Sequence, residues 1–192
     1  MDKFLKSLFG SITDLSKFFI NQVIEPGDYV IDATAGNGYD TLFLANLIVD
    51  KGKVFSFDIQ KQAIENTKKL LSKKGIMHRV NLYHTNHIYI KKYVHNKIKA
   101  AMFNLGYLPG SDHSIMTRGE STIIALKQVL ELLLPGGIVS ICLYYGHPEG
   151  KEELKEVFSF IKTLDYKIYN VLKIDYYNKI HNPPILIIIE KR

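Results

Sequence analysis

Apolar, β-branched runs alternate along the chain with segments whose apolar positions recur at helical spacing. From about Asp28 onward the order is YVIDAT, a helix from about Tyr39 to Val49, KVFSFDI, and a helix from Gln60 to Lys74. It continues with VNLYH, a short helix near Ile88 to His95, AAMFNL, a long loop, a helix from about Gly119 to Leu134, and GIVSICLYY. Successive apolar strands joined by helices predict a parallel sheet covered on both faces. After a helix from Lys151 to Leu164 the rhythm changes, because YKIYNVLKI and ILIIIEK are separated only by DYYNKIHNPP, which is too short for a crossover helix. Those strands are expected to pair antiparallel. The predicted architecture is α/β: a doubly wound, seven-stranded Rossmann-like sheet, mostly parallel, with an antiparallel C-terminal hairpin.

A chain of 192 residues fits one such domain, spanning 1–192 with an N-terminal helical segment at 1–22. Its 46% hydrophobic and 23% charged residues argue against disorder, a disulfide scaffold or a membrane protein. No apolar window is long enough to span a bilayer. The opening MDKFLKSLFGSITDLSKFFI mixes apolar and charged residues at helical spacing, unlike a secretory leader, so a cytoplasmic location is expected. The single cysteine, Cys142, lies in the apolar run GIVSICLYY and reads as an inert buried thiol. A net charge of +6 permits a polyanionic partner, and a solvated basic surface explains it equally well.

Candidate chemistry begins at YVIDATAGNGYDT, where a strand enters a glycine turn and then a helix. Gly36 and Gly38 allow close approach of backbone to ligand. A dinucleotide site would place a third glycine where Thr41 stands, so that fingerprint is incomplete, and Thr41 joins Gly36 and Gly38 as an expected cofactor-site residue. Asp32, just before the glycines, suits a ligand carrying ammonium and sulfonium groups, which favours S-adenosylmethionine over a phosphate-rich cofactor. A plain strand-to-helix turn would use the same residues. Asp58 ends the second strand, where an acid accepts bonds from ribose hydroxyls in NAD and S-adenosylmethionine sites alike. Gln60 follows it, within reach of the ribose or the adenine edge, although a helix-start residue is an equal account. The HTNH segment after the third strand offers Asn86 and His87 beside the adenine. Spacing among the seven histidines supports no metal site.

The fourth strand delivers Asn104 to the carboxyl edge of the sheet, with Gly106 and Tyr107 following. The run Asn-Leu-Gly-Tyr is similar to the Asn-Pro-Pro-Tyr motif of amino-group methyltransferases, with Leu105 and Gly106 in place of the prolines. In that motif the asparagine accepts hydrogen bonds from the target amine and the aromatic ring stacks on it. At the end of the fifth strand CLYYGHPEGKEE places Tyr144, Tyr145, His147 and Glu149 at the same edge.

Together DATAGNGYDT, FDIQ, FNLGYLPGSDHSIMT, STIIAL, YYGHPEGKEE and NPPILIIIEK resemble the small bacterial methyltransferase family formerly labelled rRNA methylases, from about Val23 to Lys191. Characterised members of that family are tRNA methyltransferases that convert wobble 5-aminomethyl-2-thiouridine to its 5-methylaminomethyl form. The resemblance implies that Asn37, Asp40, Asp58, Gln60, Asn86 and His87 hold S-adenosylmethionine, and that Asn104, Tyr107, Tyr144 and His147 face the modified uridine. Where relatives carry an acid after the His87 equivalent, this chain has Ile88.

The expected reaction is methyl transfer to an exocyclic primary amine, with Asn104 holding the amine and His147 or Tyr144 taking its proton. The expected partner is the tRNA anticodon loop, its base stacked on Tyr107 or Tyr145 and its phosphates met by Lys91, Lys92, Arg118 and Lys151. A monomer or homodimer without metal or membrane is expected. Methylation of rRNA or of a small amine is the rival reaction. An NAD-dependent oxidoreductase would reuse Gly36, Gly38 and Asp58, and a non-catalytic RNA-binding module would keep a vestigial pocket.

Overall fold

A computed structural model describes residues 10–106 and 117–192. Seven strands form one sheet: β1 (Tyr29–Asp32), β2 (Lys53–Asp58), β3 (Val80–His84), β4 (Ile98–Leu105), β5 (Leu133–Leu143), β6 (Tyr169–Ile174) and β7 (Ile185–Lys191). Their spatial order is β3-β2-β1-β4-β5-β7-β6. Strands β1 to β5 run parallel, whereas β7 is antiparallel to both β5 and β6. The strand order reverses between β1 and β4. Sheets of this class open a crevice at the carboxyl ends of the two strands flanking that reversal.

Alternate residues of β1 to β5 and β7 feed two cores, whereas the edge strand β6 is largely exposed. Ile31, Phe57, Ala101 and Phe103 pack with α5 (Gly119–Leu132) and α6 (Pro148–Ile161) on one face, joined by the short α4 (Ile90–Tyr93). Val30, Val54, Ala100 and Met102 pack on the other face with α1 (Ile12–Asn21), α2 (Tyr39–Ile48) and α3 (Lys61–Lys73). Both faces are therefore dry, which explains strands without clean polar alternation. Helix α1 begins where the Ser11 hydroxyl accepts the Asp14 amide, and it buries Ile12, Leu15 and Ile20. Its Ser16 hydroxyl meets that of Ser140 on β5 at 2.5 Å. The expected helical segment 1–22 is thus a helix over Ile12–Asn21, and residues 1–9 lie outside the described part.

Several boundaries differ from the sequence expectation. Helix α5 stops at Leu132, two residues early, because Pro135 cannot donate to a continuing helix. Strand β5 starts at once with Leu133, opposite Ile98, and the register shifts before Ile138 pairs with Ala100. That strand ends at Leu143, so Tyr144 and Tyr145 lie beyond it. Helix α6 begins at Pro148 instead of Lys151, since proline is well suited to a first helical turn and His147 caps it. Among the described residues no helix is long and apolar enough to cross a membrane.

Candidate active site

A cavity of about 690 Å³ opens at the carboxyl ends of β1 and β4. This is the range of small-molecule and cofactor pockets. One wall is the segment between β1 and α2, where Gly36 and Gly38 adopt φ of 52° and 84°. A side chain at Gly38 would bring its Cβ to 2.8 Å from the Thr67 backbone, so α3 can pack against the turn only because the position is glycine. Gly38 shapes the wall without lining the cavity, whereas Gly36, Asn37 and Asp40 line it.

Asp58 at the end of β2 also lines the cavity. Its two carboxylate oxygens accept the Gly36 amide and the Gln60 amide, each at 2.9 Å, which fixes the plane of the group. Burial pushes its pKa up, and those amide donors pull it down. Each oxygen keeps a lone pair for a further donor, the pattern a vicinal diol requires. Ile59 and Gln60 continue this wall, with Asn86 and His87 beyond them. Asn37 accepts from Asn66 on α3 at 2.9 Å. The Asn86 side chain accepts the Ile88 amide at 3.0 Å and so shapes its own turn. His87 Nδ1 lies 3.2 Å from the Ala33 carbonyl, and burial lowers the pKa of the ring. A carbonyl only accepts, so Nδ1 carries the proton, and Nε2 is an acceptor without a partner among the described residues.

From β4, Asn104 lines the opposite wall. Its backbone amide donates to the Thr34 hydroxyl at 2.8 Å, and its side-chain Nδ2 donates to Asp40. Asp40 also pairs with Lys17 of α1 at 2.9 Å. The Asn104 Oδ1 is buried with no hydrogen-bond partner among the described residues. Tyr144 stands nearby, packed within 3.6 Å of the Cβ position at Gly106. Burial pushes its phenol pKa up to about 12, so at neutral pH it stays protonated.

Besides Gly38, the predicted site residues Asp32, Thr41 and His147 do not line the cavity. Asp32 is 1% exposed and turns beneath the glycine segment, accepting the Thr41 hydroxyl at 2.5 Å and the Thr34 amide at 3.1 Å. Thr41 is wholly buried and meets the Ser56 hydroxyl at 2.9 Å. Desolvation, with Asp40 close by, raises the Asp32 pKa to about 7. His147 Nδ1 accepts the Gly150 amide at 3.0 Å and so caps α6. Tyr145, expected near the substrate, packs against the α5–α6 core instead. Cys142 is buried and its thiol pKa is raised to about 12, which keeps it from acting as a nucleophile. Tyr107 lies outside the described residues. Of the lysines expected at phosphates, Lys91 pairs with Glu131 at 2.5 Å. Among the described residues no cluster of three His, Cys, Asp or Glu side chains could hold a metal ion.

Sequence reasoning missed Thr13 and Lys17 of α1, along with Thr34, Tyr39, Ile59, Thr117 and Ser121, all of which line the cavity. Asp58 followed by Ile59, an acid and then an exposed apolar residue at a strand end, was the available signal for one of them. No local pattern marks Lys17, which reaches the site only because α1 packs across β5.

The family model described as "Putative rRNA methylase" matches residues 54–190. The chain belongs to that family. As an rRNA-methylase family member it is a methyltransferase. A relative in Arabidopsis thaliana, the chloroplastic tRNA (mnm5s2U34)-methyltransferase, is 37% identical over an alignment covering 100% of this chain and 74% of its own. A family structure from Clostridium thermocellum is 46% identical with a TM-score of 0.94, over 95% of this chain and 98% of that one. A methyltransferase structure from Streptococcus mutans, in complex with SAH, is 41% identical with a TM-score of 0.87, covering 94% and 97% of the two chains.

Proposed function

We propose that this methyltransferase acts on tRNA, converting the exocyclic primary amine of wobble 5-aminomethyl-2-thiouridine to the 5-methylaminomethyl form. S-adenosylmethionine is the methyl donor. The observation that carries the substrate assignment is the similarity, over the whole of this chain and 74% of the relative, to a protein named for tRNA mnm5s2U34 methylation. The site supports it chemically.

The residues that line the cavity suit the donor. Asp58 is oriented by two amides to receive ribose hydroxyls, and the turn at Gly36 brings main chain to the cavity wall. Exposed Ile59 offers an apolar surface to a flat base, and Asn86 and His87 add polar groups beside it. When bound, the donor supplies a methyl group already activated on a sulfonium, so the protein needs no covalent nucleophile.

The residues of the chain then hold and align the amine. An alkylammonium has no lone pair, so the amine must arrive neutral or lose a proton first. Asn104 Oδ1, without a partner among the described residues, suits an N–H of the neutral amine. Tyr144, protonated, is a hydrogen-bonding and packing group and not the base. His147, committed through Nδ1 to the α6 cap, sits outside the cavity, so proton loss to solvent is the simpler route.

The test is incubation of the purified protein with labelled S-adenosylmethionine and RNA from cells lacking this gene, followed by mass spectrometry of the labelled nucleoside. Label on the wobble aminomethyl uridine is the expected result. Label confined to ribosomal RNA would reject the tRNA assignment.

A further inference from the structure

The Asn104 amide is an ambiguous group made unambiguous by its neighbours. A side-chain amide can present either its carbonyl or its NH2 to a site, and the two orientations have almost the same shape. A carboxylate accepts and cannot donate. Because Asp40 lies against this amide, NH2 must turn toward Asp40, and Oδ1 is the atom left for a ligand. Lys17 fastens the other oxygen of Asp40 at 2.9 Å, and the pair is largely withdrawn from water, at 28% and 12% exposed.

The orientation decides what the site can activate. An amine whose N–H donates to Oδ1 keeps its lone pair free to attack. With the amide reversed, NH2 would donate to that same lone pair and occupy the electrons the reaction needs. We propose that Asp40, anchored by Lys17, is a positioning residue that locks the Asn104 amide carbonyl-outward, so that the acceptor amine is held through an N–H with its lone pair left free for attack. The helix carrying Lys17 is thereby part of the methyl-transfer machinery and not only a cover on the sheet. This inference rests on the reading above that Asn104 holds the acceptor amine, and it gives Asp40 a different task from direct cofactor binding.

The orientation is readable in the free protein. In 15N-labelled protein the Asn104 side-chain NH2 pair is assigned by its loss in Asn104→Ala. Asp40→Asn is expected to shift that pair, and Lys17→Met to shift it less. In parallel, Asp40→Asn is expected to lower kcat roughly tenfold or more at saturating donor while the Kd for S-adenosylhomocysteine stays within about twofold. A pair that does not move in Asp40→Asn overturns the inference. So does a roughly tenfold weaker Kd with kcat preserved, which would make Asp40 a cofactor contact. Should Asp40→Asn fail to fold, Lys17→Met decides the matter: a fall in kcat at unchanged Kd supports the lock, and unchanged kcat removes it. If the wild-type protein methylates no tRNA amine, the assigned function fails, and the amide resonance still reports separately on the lock.

Discussion

Asp32 and Asp40 leave the same strand-to-helix segment in opposite directions, and their surroundings differ in one decisive respect. Asp32 turns inward to Thr41 and Thr34 with no cationic partner among the described residues, and desolvation lifts its pKa to about 7. Asp40 turns to the cavity and meets the ammonium of Lys17 and the amide of Asn104. An acid buried among hydroxyls gives up its charge and serves as a hydrogen-bonded strut beneath the turn. An acid paired with a lysine can direct a neighbouring group. The segment thus has a supporting side and a working side, and substitutions on the two should separate stability from activity.

The largest effect is expected on the working side. Asn104→Ala should lower kcat by roughly 10²–10³, the loss typical of a removed transition-state hydrogen-bonding group, with the Kd for S-adenosylhomocysteine retained. Asp58→Ala should do the reverse, weakening that Kd by roughly 10–100-fold, since hydrogen bonds to a charged group are each worth about 1.5–3 kcal/mol; calorimetry measures it. On the supporting side, Thr41→Val should cost about 1–3 kcal/mol of stability by leaving Asp32 and Ser56 short of a partner, read by denaturant unfolding, with little change in Kd.

The smallest effect concerns pH. The folded-state pKa of Asp32 is raised from 3.8 to about 7, so between those values the folded protein holds a proton that the unfolded chain has released. Stability from this group therefore falls as pH rises through that window and levels off above it. Asp32→Asn, which cannot ionise, should gain in Tm relative to wild type as pH rises from 5 to 8, by a few degrees. A difference that is flat with pH would mean Asp32 is already charged in the fold.

The fold was readable because apolar runs at strand length alternate with helical periodicity, and a ten-residue gap can only join two antiparallel strands. The positions of Gly36, Asp58 and Asn104 were readable for a related reason: chain order fixes which residue ends each strand, and strand ends form the crevice. Direction was not readable. Nothing local distinguishes Asp32, which points down, from Asp40, which points out, because that depends on Ser56 and Lys17 arriving from β2 and α1. His147 shows the same limit, since a histidine before Pro148 serves as a helix cap as readily as a site residue. Lys17 was invisible for want of any motif, and Tyr107 lies outside the described residues.

The proposed function requires one cavity to hold the donor ribose at Asp58 and the acceptor amine at Asn104. A crystal structure with S-adenosylhomocysteine and an anticodon stem-loop bearing 5-aminomethyl-2-thiouridine tests it most directly. Ribose hydroxyls on the Asp58 carboxylate, and the aminomethyl nitrogen within hydrogen-bond distance of Asn104 Oδ1, are the expected result. An amine bound away from Asn104, or a ribose bound elsewhere than Asp58, would contradict it.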